Sequence, residues 1–354
     1  MRKQQALIVY FYLLLAVSPA LFAAQTANYY PQNPLTANTT YCVSSQRLQC
    51  FNAQTQQLLW QNTAIKSARG LLLINGKLFV NLDHSALILD AHNGKTLARW
   101  DNEGTLFDPV VSANRLILSD QQGWLRVIDL ASGQTMWRRK IESSWVYPPA
   151  VVGSVLISGG RDGQLSAVDI DTGRVRWRKK IGQELVYRPV AVAGKVFVSS
   201  FDGYLRAIDP ASAAVISSTH LDSPVFNIQT DGKDTLVAAG YNGNLYAVDA
   251  ATARLRWQQP VATSLRFAFS LDKDQVSSID YQGQFYLLDK ANGRLLQHFR
   301  FAGTHHIAPL MTSSRIRLFP ADMPVINIPT KSFQSGIGKT IMHHSDAQSP
   351  GGET

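Results

Sequence analysis

The sequence lacks the short patterns that most often carry catalysis. It contains no Gly-x-Ser-x-Gly, no phosphate-binding glycine loop and no His-Glu-x-x-His. Its two histidine pairs, His305-His306 and His343-His344, have no cysteine or carboxylate partners at ligand spacing, so we expect no metal site. An acid–base pair of carboxylates cannot be picked out either, because nearly every Asp belongs to a repeat.

Long apolar runs are equally scarce. The one clear run, ALIVYFYLLLAV, follows the basic start MRKQQ and precedes the small-residue stretch SPALFAAQ. This pattern predicts a secretory signal peptide over residues 1–24, cleaved after Ala23 or Ala24. The alternative, an uncleaved membrane anchor, requires a longer run. No cysteine lies near the cleavage site, so the sequence offers no lipid-attachment site.

Glycines recur at a constant interval. Gly123, Gly163, Gly203, Gly243 and Gly283 are each 40 residues apart, and the best copy of the unit, residues 162–181, reads DGQLSAVDIDTGRVRWRKKI. A period near 40 is typical of a repeat array. Each copy has a first turn, an alternating strand and an Asp-led second turn, followed by a strand that often contains Trp. These Asp residues are Asp90, Asp129, Asp169, Asp209, Asp249 and Asp289.

Two more short strands precede each first turn, and no helical period appears. Four strands per repeat predict an all-β fold: a single β-propeller of four-stranded antiparallel blades over residues 25–330. Eight blades are favoured and seven are the alternative. The eighth repeat has only three evident strands, and we expect the segment QTANYYPQ (residues 25–32) to supply the fourth. Residues 331–354 are polar and rich in Gly and Ser, which predicts a disordered tail.

The two cysteines, Cys42 and Cys50, fall four residues before and four after the first turn of the first repeat. In an exported chain this spacing predicts a disulfide across a hairpin. The alternative is a pair of packed free thiols.

The formal net charge is +9, and part of the excess is concentrated in two fourth strands, WRRKI and WRKKI. We expect them to form a basic rim on neighbouring blades, which consists of Arg138, Arg139, Lys140, Arg178, Lys179 and Lys180. The rim could contact anionic lipid headgroups or an acidic partner. The alternative is that its charges protect exposed strand edges from aggregation. Nucleic acid is not expected as a partner of an exported chain.

The consensus D-G-x-L-x-A-x-D-x-x-T-G-x-x-x-W resembles the quinoprotein-type (PQQ-like) propeller repeat over about residues 33–300. The resemblance implies that Trp60, Trp137, Trp177 and Trp257 dock into the next blade. Ser217 and Gln297 replace this Trp in two copies. In another copy Ala98 takes its place and Trp100 is displaced by two residues.

The family includes large quinone-dependent dehydrogenases and non-enzymatic scaffolds. The chain is shorter than the dehydrogenases and lacks their adjacent cysteines and calcium-loop spacing, so no cofactor is expected. The resemblance implies a monomeric periplasmic scaffold that binds envelope proteins, such as components of outer-membrane protein assembly. The members in that machinery are usually lipoproteins, and the missing lipid-attachment cysteine is a departure. The alternative is a quinone-dependent oxidoreductase or a small-ligand-binding propeller.

One set of residues is a candidate partner-binding site. An aromatic residue recurs sixteen positions before most first turns, and others flank it. Rigid aromatic side chains and Arg are enriched in protein-binding hot spots. The candidates are Phe107, Trp145, Tyr147, Tyr187, Arg188, Phe226, Arg266 and Phe267. The alternative is that these side chains pack beneath connecting loops.

Overall fold

The structure is a computed structural model. It describes residues 28–29, 40–44, 47–52, 55, 57–65, 68, 70–82, 85–101, 105–142, 146–185, 187–261, 267–280, 282–301, 310–311, 315–318 and 326–329. The predicted signal peptide and the predicted tail lie outside these residues. Within the described ranges, the chain has no helix with the length and apolar character needed to cross a membrane.

The chain divides into two compact units, Met1–Asp108 and Pro109–Thr354. The described strands of the first unit form two sheets. Sheet 1 contains β2 (Thr40–Ser44), β3 (Leu48–Asn52) and β4 (Leu58–Asn62). Sheet 2 contains β1 (Asn28–Tyr29), β5 (Gly70–Ile74), β6 (Lys77–Asn81), β7 (Ser85–Asp90) and β8 (Thr96–Asp101).

The described strands of the second unit form six sheets in chain order. Sheet 3 contains β9 (Val110–Ser112), β10 (Arg115–Ser119), β11 (Trp124–Asp129) and β12 (Thr135–Lys140). Sheet 4 contains β13 (Ala150–Val152), β14 (Val155–Gly159), β15 (Gln164–Asp169) and β16 (Val175–Lys180). Sheet 5 contains β17 (Val190–Val192), β18 (Lys195–Ser199), β19 (Tyr204–Ile208) and β20 (Val215–His220). Sheet 6 contains β21 (Val225–Thr230), β22 (Thr235–Gly240), β23 (Asn244–Asp249) and β24 (Leu255–Pro260). Sheet 7 contains β25 (Phe267–Leu271), β26 (Gln275–Asp280), β27 (Gln284–Asp289) and β28 (Leu295–Arg300). Sheet 8 contains β29 (Leu310–Met311), β30 (Arg315–Leu318) and β31 (Ile326–Pro329).

The predicted propeller of antiparallel four-stranded blades is confirmed. Sheets 3 to 7 each have four strands in sequence order, and the described residues contain eight sheets in total, two of which have three strands. One detail of the prediction is wrong. Asn28–Tyr29 does not extend sheet 8 but pairs in parallel with Gly70–Leu71 of β5. The physical reason is that β5 is the first strand of its antiparallel series and has an edge that can accept a further strand.

The sheets stack because their middle strands are apolar on both faces. Every residue of β22 is buried, and β14 and β15 are buried over most of their length. A strand of this kind must be covered on both sides. In the second unit, the first strands of sheets 4 to 8 lie side by side in chain order. Each pair of neighbours from sheet 3 to sheet 7 encloses an apolar core, for example Leu165 with Val198 and Phe197 with Leu236.

The repeated Asp residues hold the second turns, as predicted. The Oδ1 atom of Asp169 accepts the Thr172 N–H (2.9 Å) and the Asp171 N–H (3.2 Å). Asp129, Asp209 and Asp249 accept the N–H three residues onward in the same manner. The Arg176 side chain and Thr172 hold the pKa of Asp169 well below its usual range, so the turn is stabilised by the ionised carboxylate.

The predicted indole joints are also confirmed. The Trp137 Nε1–H of sheet 3 donates to the Ile170 carbonyl of sheet 4 (2.8 Å), and the ring lies against Gly173. Three other indoles make the same hydrogen bond to a backbone carbonyl of the next sheet. Trp60 of sheet 1 donates to Ala91 O of sheet 2 (2.8 Å), and Trp177 of sheet 4 donates to Pro210 O of sheet 5 (3.0 Å). Trp257 of sheet 6 donates to Lys290 O of sheet 7 (2.8 Å). Each indole buries a large apolar area and satisfies its donor on the neighbouring sheet.

Two further connections strengthen particular parts of the array. In sheet 1, Cys42 and Cys50 are paired in register on β2 and β3 and are joined by a disulfide. Between sheets 6 and 7, Lys290 Nζ lies 2.8 Å from Asp231 Oδ2, and both side chains are at least 85% buried. Burial raises the pKa of Asp231, but the Lys290 hydrogen bond and the amides of Lys233 and Thr235 outweigh it and lower the pKa to about 2.

We expect Gly173→Ala to destabilise the protein more than Gly133→Ala does. Both glycines have positive φ in equivalent turns (67° and 72°), so both variants incur the left-handed strain of about 1 kcal/mol. A Cβ on Gly173 would lie only 2.8 Å from the Trp137 ring, whereas one on Gly133 would meet nothing within 4 Å. The overpacking should cost a further 1–2 kcal/mol or so, measured by urea unfolding. Ala213 occupies the equivalent turn position beside Trp177, so we expect the ring to shift rather than the fold to fail. Equal losses for the two variants would contradict the indole joint.

Asp231→Asn should lower stability at neutral pH but not in acid. Because the folded pKa is lowered from 3.8 to about 2, the contribution of Asp231 is present above the unfolded pKa and is lost as the pH falls from 3.8 towards 2. We expect a deficit of about 1–2 kcal/mol at pH 6 that closes below pH 3, measured by denaturant unfolding at each pH. Asp101→Asn, which removes a solvent-exposed pair with Arg99, is the control and should have little effect at any pH. A deficit for Asp231→Asn that does not depend on pH would rule out the ion pair as its cause.

Candidate binding surface

Several of the predicted site residues, among them Tyr147 and Phe226, lie at one end of the sheets of the second unit. In sheet 4, Tyr147 N–H donates to Gly159 O (3.1 Å), which holds the segment before β13 against the end of β14. Ile181 N–H donates to Gly163 O (3.1 Å), which holds the end of β16 against the first turn. The same bond joins Ile141 to Gly123 and Leu221 to Gly203 (both 2.8 Å). The repeat therefore brings three separate segments of each sheet to the same end.

Aromatic rings from sheets 5 and 6 contact one another at this end. The Tyr241 ring lies 5.4 Å from the Phe226 ring in an edge-on arrangement and 6.1 Å from the Phe201 ring, measured between centroids. Edge-on and tilted arrangements at this separation are favourable for aromatic pairs. Tyr241 N–H also donates to Pro224 O (3.0 Å), which fixes the backbone beneath its ring.

Tyr147 of sheet 4 belongs to the same neighbourhood. It lies close enough to Arg161, Glu184 and Tyr241 for their charges to affect its ionisation. Burial raises the pKa of Tyr147 well above its usual range, Glu184 and Tyr241 add to the effect, and Arg161 partly opposes it. The phenol therefore remains a neutral hydrogen-bond donor over the whole physiological pH range.

An ion pair crosses from sheet 4 to sheet 5 beside these rings. Arg161 Nε lies 2.5 Å from Glu184 Oε1, and both side chains are about one quarter exposed. Phe201 N–H donates to Glu184 O (3.0 Å), so the loop that carries Glu184 is tied to the following turn. We refer to Tyr147, Phe201, Phe226 and Tyr241, together with the Arg161–Glu184 pair, as the aromatic cluster.

Four of the predicted site residues belong to the aromatic cluster or lie on a loop that contributes to it. Tyr147 and Phe226 belong to it. Tyr187 and Arg188 lie in the loop before β17 that also carries Glu184, and the guanidinium carbon of Arg188 lies 6.0 Å from the centre of the Tyr187 ring.

For the other predicted site residues, the structure describes no contact with the cluster. Phe107 belongs to the first unit, where its carbonyl accepts a hydrogen bond from Asn81 Nδ2 (3.2 Å). Trp145 and Arg266 lie outside the described residues. Phe267 begins β25, and the structure does not describe its side chain.

The sequence reasoning missed Arg161, Glu184, Phe201 and Tyr241. Three of them could have been found from the repeat, because Arg161, Phe201 and Tyr241 are each two residues before a first-turn glycine and therefore recur at the period of 40. Glu184 had no comparable signal, since its partner Arg161 is 23 residues away.

The predicted basic rim lies on the outer strands β12 and β16 of neighbouring sheets. Arg139, Lys140, Lys179 and Lys180 are exposed. Arg138 covers the Trp124 ring, with its guanidinium carbon 4.0 Å from the ring centre. Arg178 has a structural contact in addition, because its Nη2 donates to the Ile141 carbonyl of sheet 3 (2.8 Å).

A buried carboxylate lies beneath the rim. Glu142 accepts a hydrogen bond from Ser166 Oγ (2.6 Å) and is almost fully buried. Burial raises the pKa of Glu142, and the Ser166 hydrogen bond and the charge of Arg178 only partly offset this effect. Ser166 belongs to β15 and Glu142 follows β12, so this contact also joins two sheets.

The arrangement is suited to holding a partner. The aromatic cluster offers rigid apolar area and a planar guanidinium, which are the features of protein-binding hot spots. Among the described residues, no group of three or more His, Cys, Asp or Glu side chains is placed to hold a metal ion. The histidine pairs His305-His306 and His343-His344 lie outside the described residues.

Comparisons with known proteins agree with this fold. A family model described as "Outer membrane protein assembly factor BamB" matches residues 121–268, 212–299 and 242–329, which together span more than half of the chain. No curated protein matches the chain.

Two solved structures are similar to it. The crystal structure of Ika8, a computationally designed protein, is 15% identical with a TM-score of 0.73, over 83% of this chain and 94% of that one. The crystal structure of BamB from Moraxella catarrhalis is 17% identical with a TM-score of 0.67, over 83% of this chain and 91% of that one. At these identities the two structures show the fold alone.

Proposed function

Since the chain belongs to the family described as outer membrane protein assembly factor BamB, we propose that it is an exported, non-enzymatic β-propeller scaffold. It binds another protein of the bacterial cell envelope and takes part in outer-membrane protein assembly. The observation that carries this proposal is the aromatic cluster, in which rings from three sheets and an inter-sheet ion pair share one end of the array.

The geometry of the cluster supports binding rather than proton transfer. Tyr147 stays neutral over the physiological pH range because burial raises its pKa. The repeated carboxylates serve as turn acceptors, as Asp169 does for the amides of Asp171 and Thr172. Backbone hydrogen bonds, such as that from Tyr241 N–H to Pro224 O, fix the main chain of the residues that carry these rings. The rings therefore lose little conformational freedom on binding, and their contact area contributes efficiently to affinity.

The sequence features of the chain support the cellular location. Residues 1–24 have the basic start, apolar run and small-residue exit of a secretory signal peptide. A disulfide joins Cys42 and Cys50 in sheet 1. Disulfides persist in oxidising compartments such as the periplasm, so the proposed location and the disulfide are consistent.

The partner is expected to dock on the aromatic cluster and on the Tyr187–Arg188 pair beside it. Replacing Tyr147, Tyr187 and Arg188 together by Ala should weaken binding to the purified periplasmic domains of the outer-membrane assembly machinery by about 100-fold or more, because aromatic and Arg anchors carry most of the binding energy. Biolayer interferometry against the wild-type chain measures this change.

Two control variants make this test decisive. Lys179→Ala with Lys180→Ala removes two exposed charges from β16 and should change the affinity by less than about threefold. Tyr187→Ala with Arg188→Ala spares the partly buried Tyr147 and so guards against loss of folding. Circular dichroism checks the fold of every variant. An unchanged dissociation constant for the folded triple variant would remove the aromatic cluster as the binding site.

A further inference from the structure

The outer strand of sheet 5 differs from the other outer strands of the second unit. β20 is the last strand in its sheet, and no strand in the described part of the chain pairs with its outer edge. Exposed strand edges commonly carry Lys, Arg or Pro, which prevent pairing with another chain. The outer strands β12, β16, β24 and β28 each contain Arg, and β24 also ends at Pro260. The sequence of β20, Val-Ile-Ser-Ser-Thr-His, contains none of the three.

The absence of a cation from β20 is clearest at Ile216. Ile216 occupies the repeat position of Arg176 in sheet 4 and Arg256 in sheet 6. In those sheets the Arg pairs with the Asp of the second turn: Arg176 Nη2 lies 2.6 Å from Asp169, and Arg256 Nη2 lies 2.5 Å from Asp249. Sheet 5 retains the equivalent Asp209 but has Ile216 in place of the Arg. Ile216 is 49% exposed and its neighbour Val215 is 44% exposed, so sheet 5 presents apolar side chains at this point.

The backbone of β20 is held in position by its neighbours, and some of its hydrogen-bonding groups point away from β19. Leu221 N–H donates to Gly203 O (2.8 Å) directly after the strand. Because hydrogen-bonded positions alternate along an antiparallel strand, Thr219 and Ser217 should point their backbone groups towards β19, and Ser218 and His220 should point theirs outward. The Thr219 hydroxyl donates to the Ala253 carbonyl of sheet 6, which anchors the strand from the other side.

The charges on either side of β20 indicate what can occupy its edge. Lys179 on β16 is exposed and lies two residues after Trp177, on the same face of the strand. The Trp177 indole donates to the Pro210 carbonyl in the turn before β20. On the other side, the exposed Arg254 directly follows Ala253, which bonds to Thr219. The neighbouring sheets therefore each carry a cationic side chain close in sequence to a residue that contacts sheet 5, whereas β20 itself is uncharged and partly apolar.

We infer that the outer edge of β20 is a docking site for an extended segment of another polypeptide, one with β-branched residues at its centre and acidic residues at its ends. The segment adds a strand to sheet 5, so main-chain hydrogen bonds provide affinity and the flanking cations select the acidic ends. This site goes beyond the proposed function, because none of its residues belongs to the aromatic cluster.

The test uses a defined peptide and the full-length protein. The probe is fluorescein-labelled Glu-Val-Thr-Val-Thr-Val-Glu, and fluorescence anisotropy measures its binding. Ile216→Arg restores the residue type found in sheets 4 and 6 and places a cation opposite Asp209, so the variant should fold normally. We expect it to weaken peptide binding about tenfold or more, since a charge on an edge strand opposes strand addition.

Matched controls separate this site from non-specific binding. Met136→Arg makes the same change at the same repeat position of β12, which already contains three basic residues, and should leave the affinity within about twofold. The same peptide methylated on alternate backbone nitrogens retains its charges but loses donors, and should bind about tenfold more weakly or worse. Tyr187→Ala with Arg188→Ala should leave peptide binding intact, which distinguishes this site from the aromatic cluster.

Several outcomes would overturn the inference. One is equal binding of the peptide to the wild-type chain and to folded Ile216→Arg. Another is undiminished binding of the methylated peptide, which would assign the affinity to charge alone. A third is a wild-type chain that dimerises in sedimentation, becomes monomeric on Ile216→Arg and does not bind the peptide, which would assign the edge to a second copy of this chain.

Discussion

The structure depends on covering both faces of every sheet. Strands such as β22 are buried along their whole length, so a sheet built on them has no face that can be left to solvent. From sheet 3 to sheet 7 the chain meets this requirement by repeating one unit, so that the face left apolar by one sheet is covered by the next. The Trp joints follow from the same constraint, because an indole on the outer strand extends the apolar contact to the periphery and closes it with a hydrogen bond.

Within each sheet, some elements of the unit recur in most repeats of the chain and others differ from repeat to repeat. The Asp-led second turn and the Trp from the preceding sheet serve stability, and Asp169 and Trp137 show how completely their polar atoms are used. The opposite end of the sheets is less constrained, since its turns need only a glycine and a capping side chain. Residues there can differ from one repeat to the next, and the aromatic cluster is assembled from these differing positions.

Sheet 5 shows that departures from the repeat are informative in themselves. It has Ser217 in place of the Trp and Ile216 where two other sheets have Arg. The joint to sheet 6 is retained by other contacts, as Thr219 and Lys195 donate to the carbonyls of Ala253 and Ala251. The fold therefore tolerates the loss of an indole, and the outer edge of this sheet has a chemistry that its neighbours do not share.

The sequence by itself determined the features that arise from short-range rules. The glycine period, the Asp-led turns and the alternation of apolar residues each act over a few residues and recur, so they predicted the strands, the turns and the pairing position of Cys42 with Cys50. The docking of Trp137 and its counterparts was implied by the resemblance to the PQQ-like repeat, and the same contact recurs in four of the repeats. Only the tertiary structure decided which side chains from different repeats meet. Tyr147 and Tyr241 are 94 residues apart, and Arg161 meets Glu184 through the stacking of two sheets. The position of Asn28–Tyr29 beside β5 belongs to the same class, because a two-residue strand has too few side chains to encode its partner, and its pairing is set by which strand edge the stacked sheets leave open.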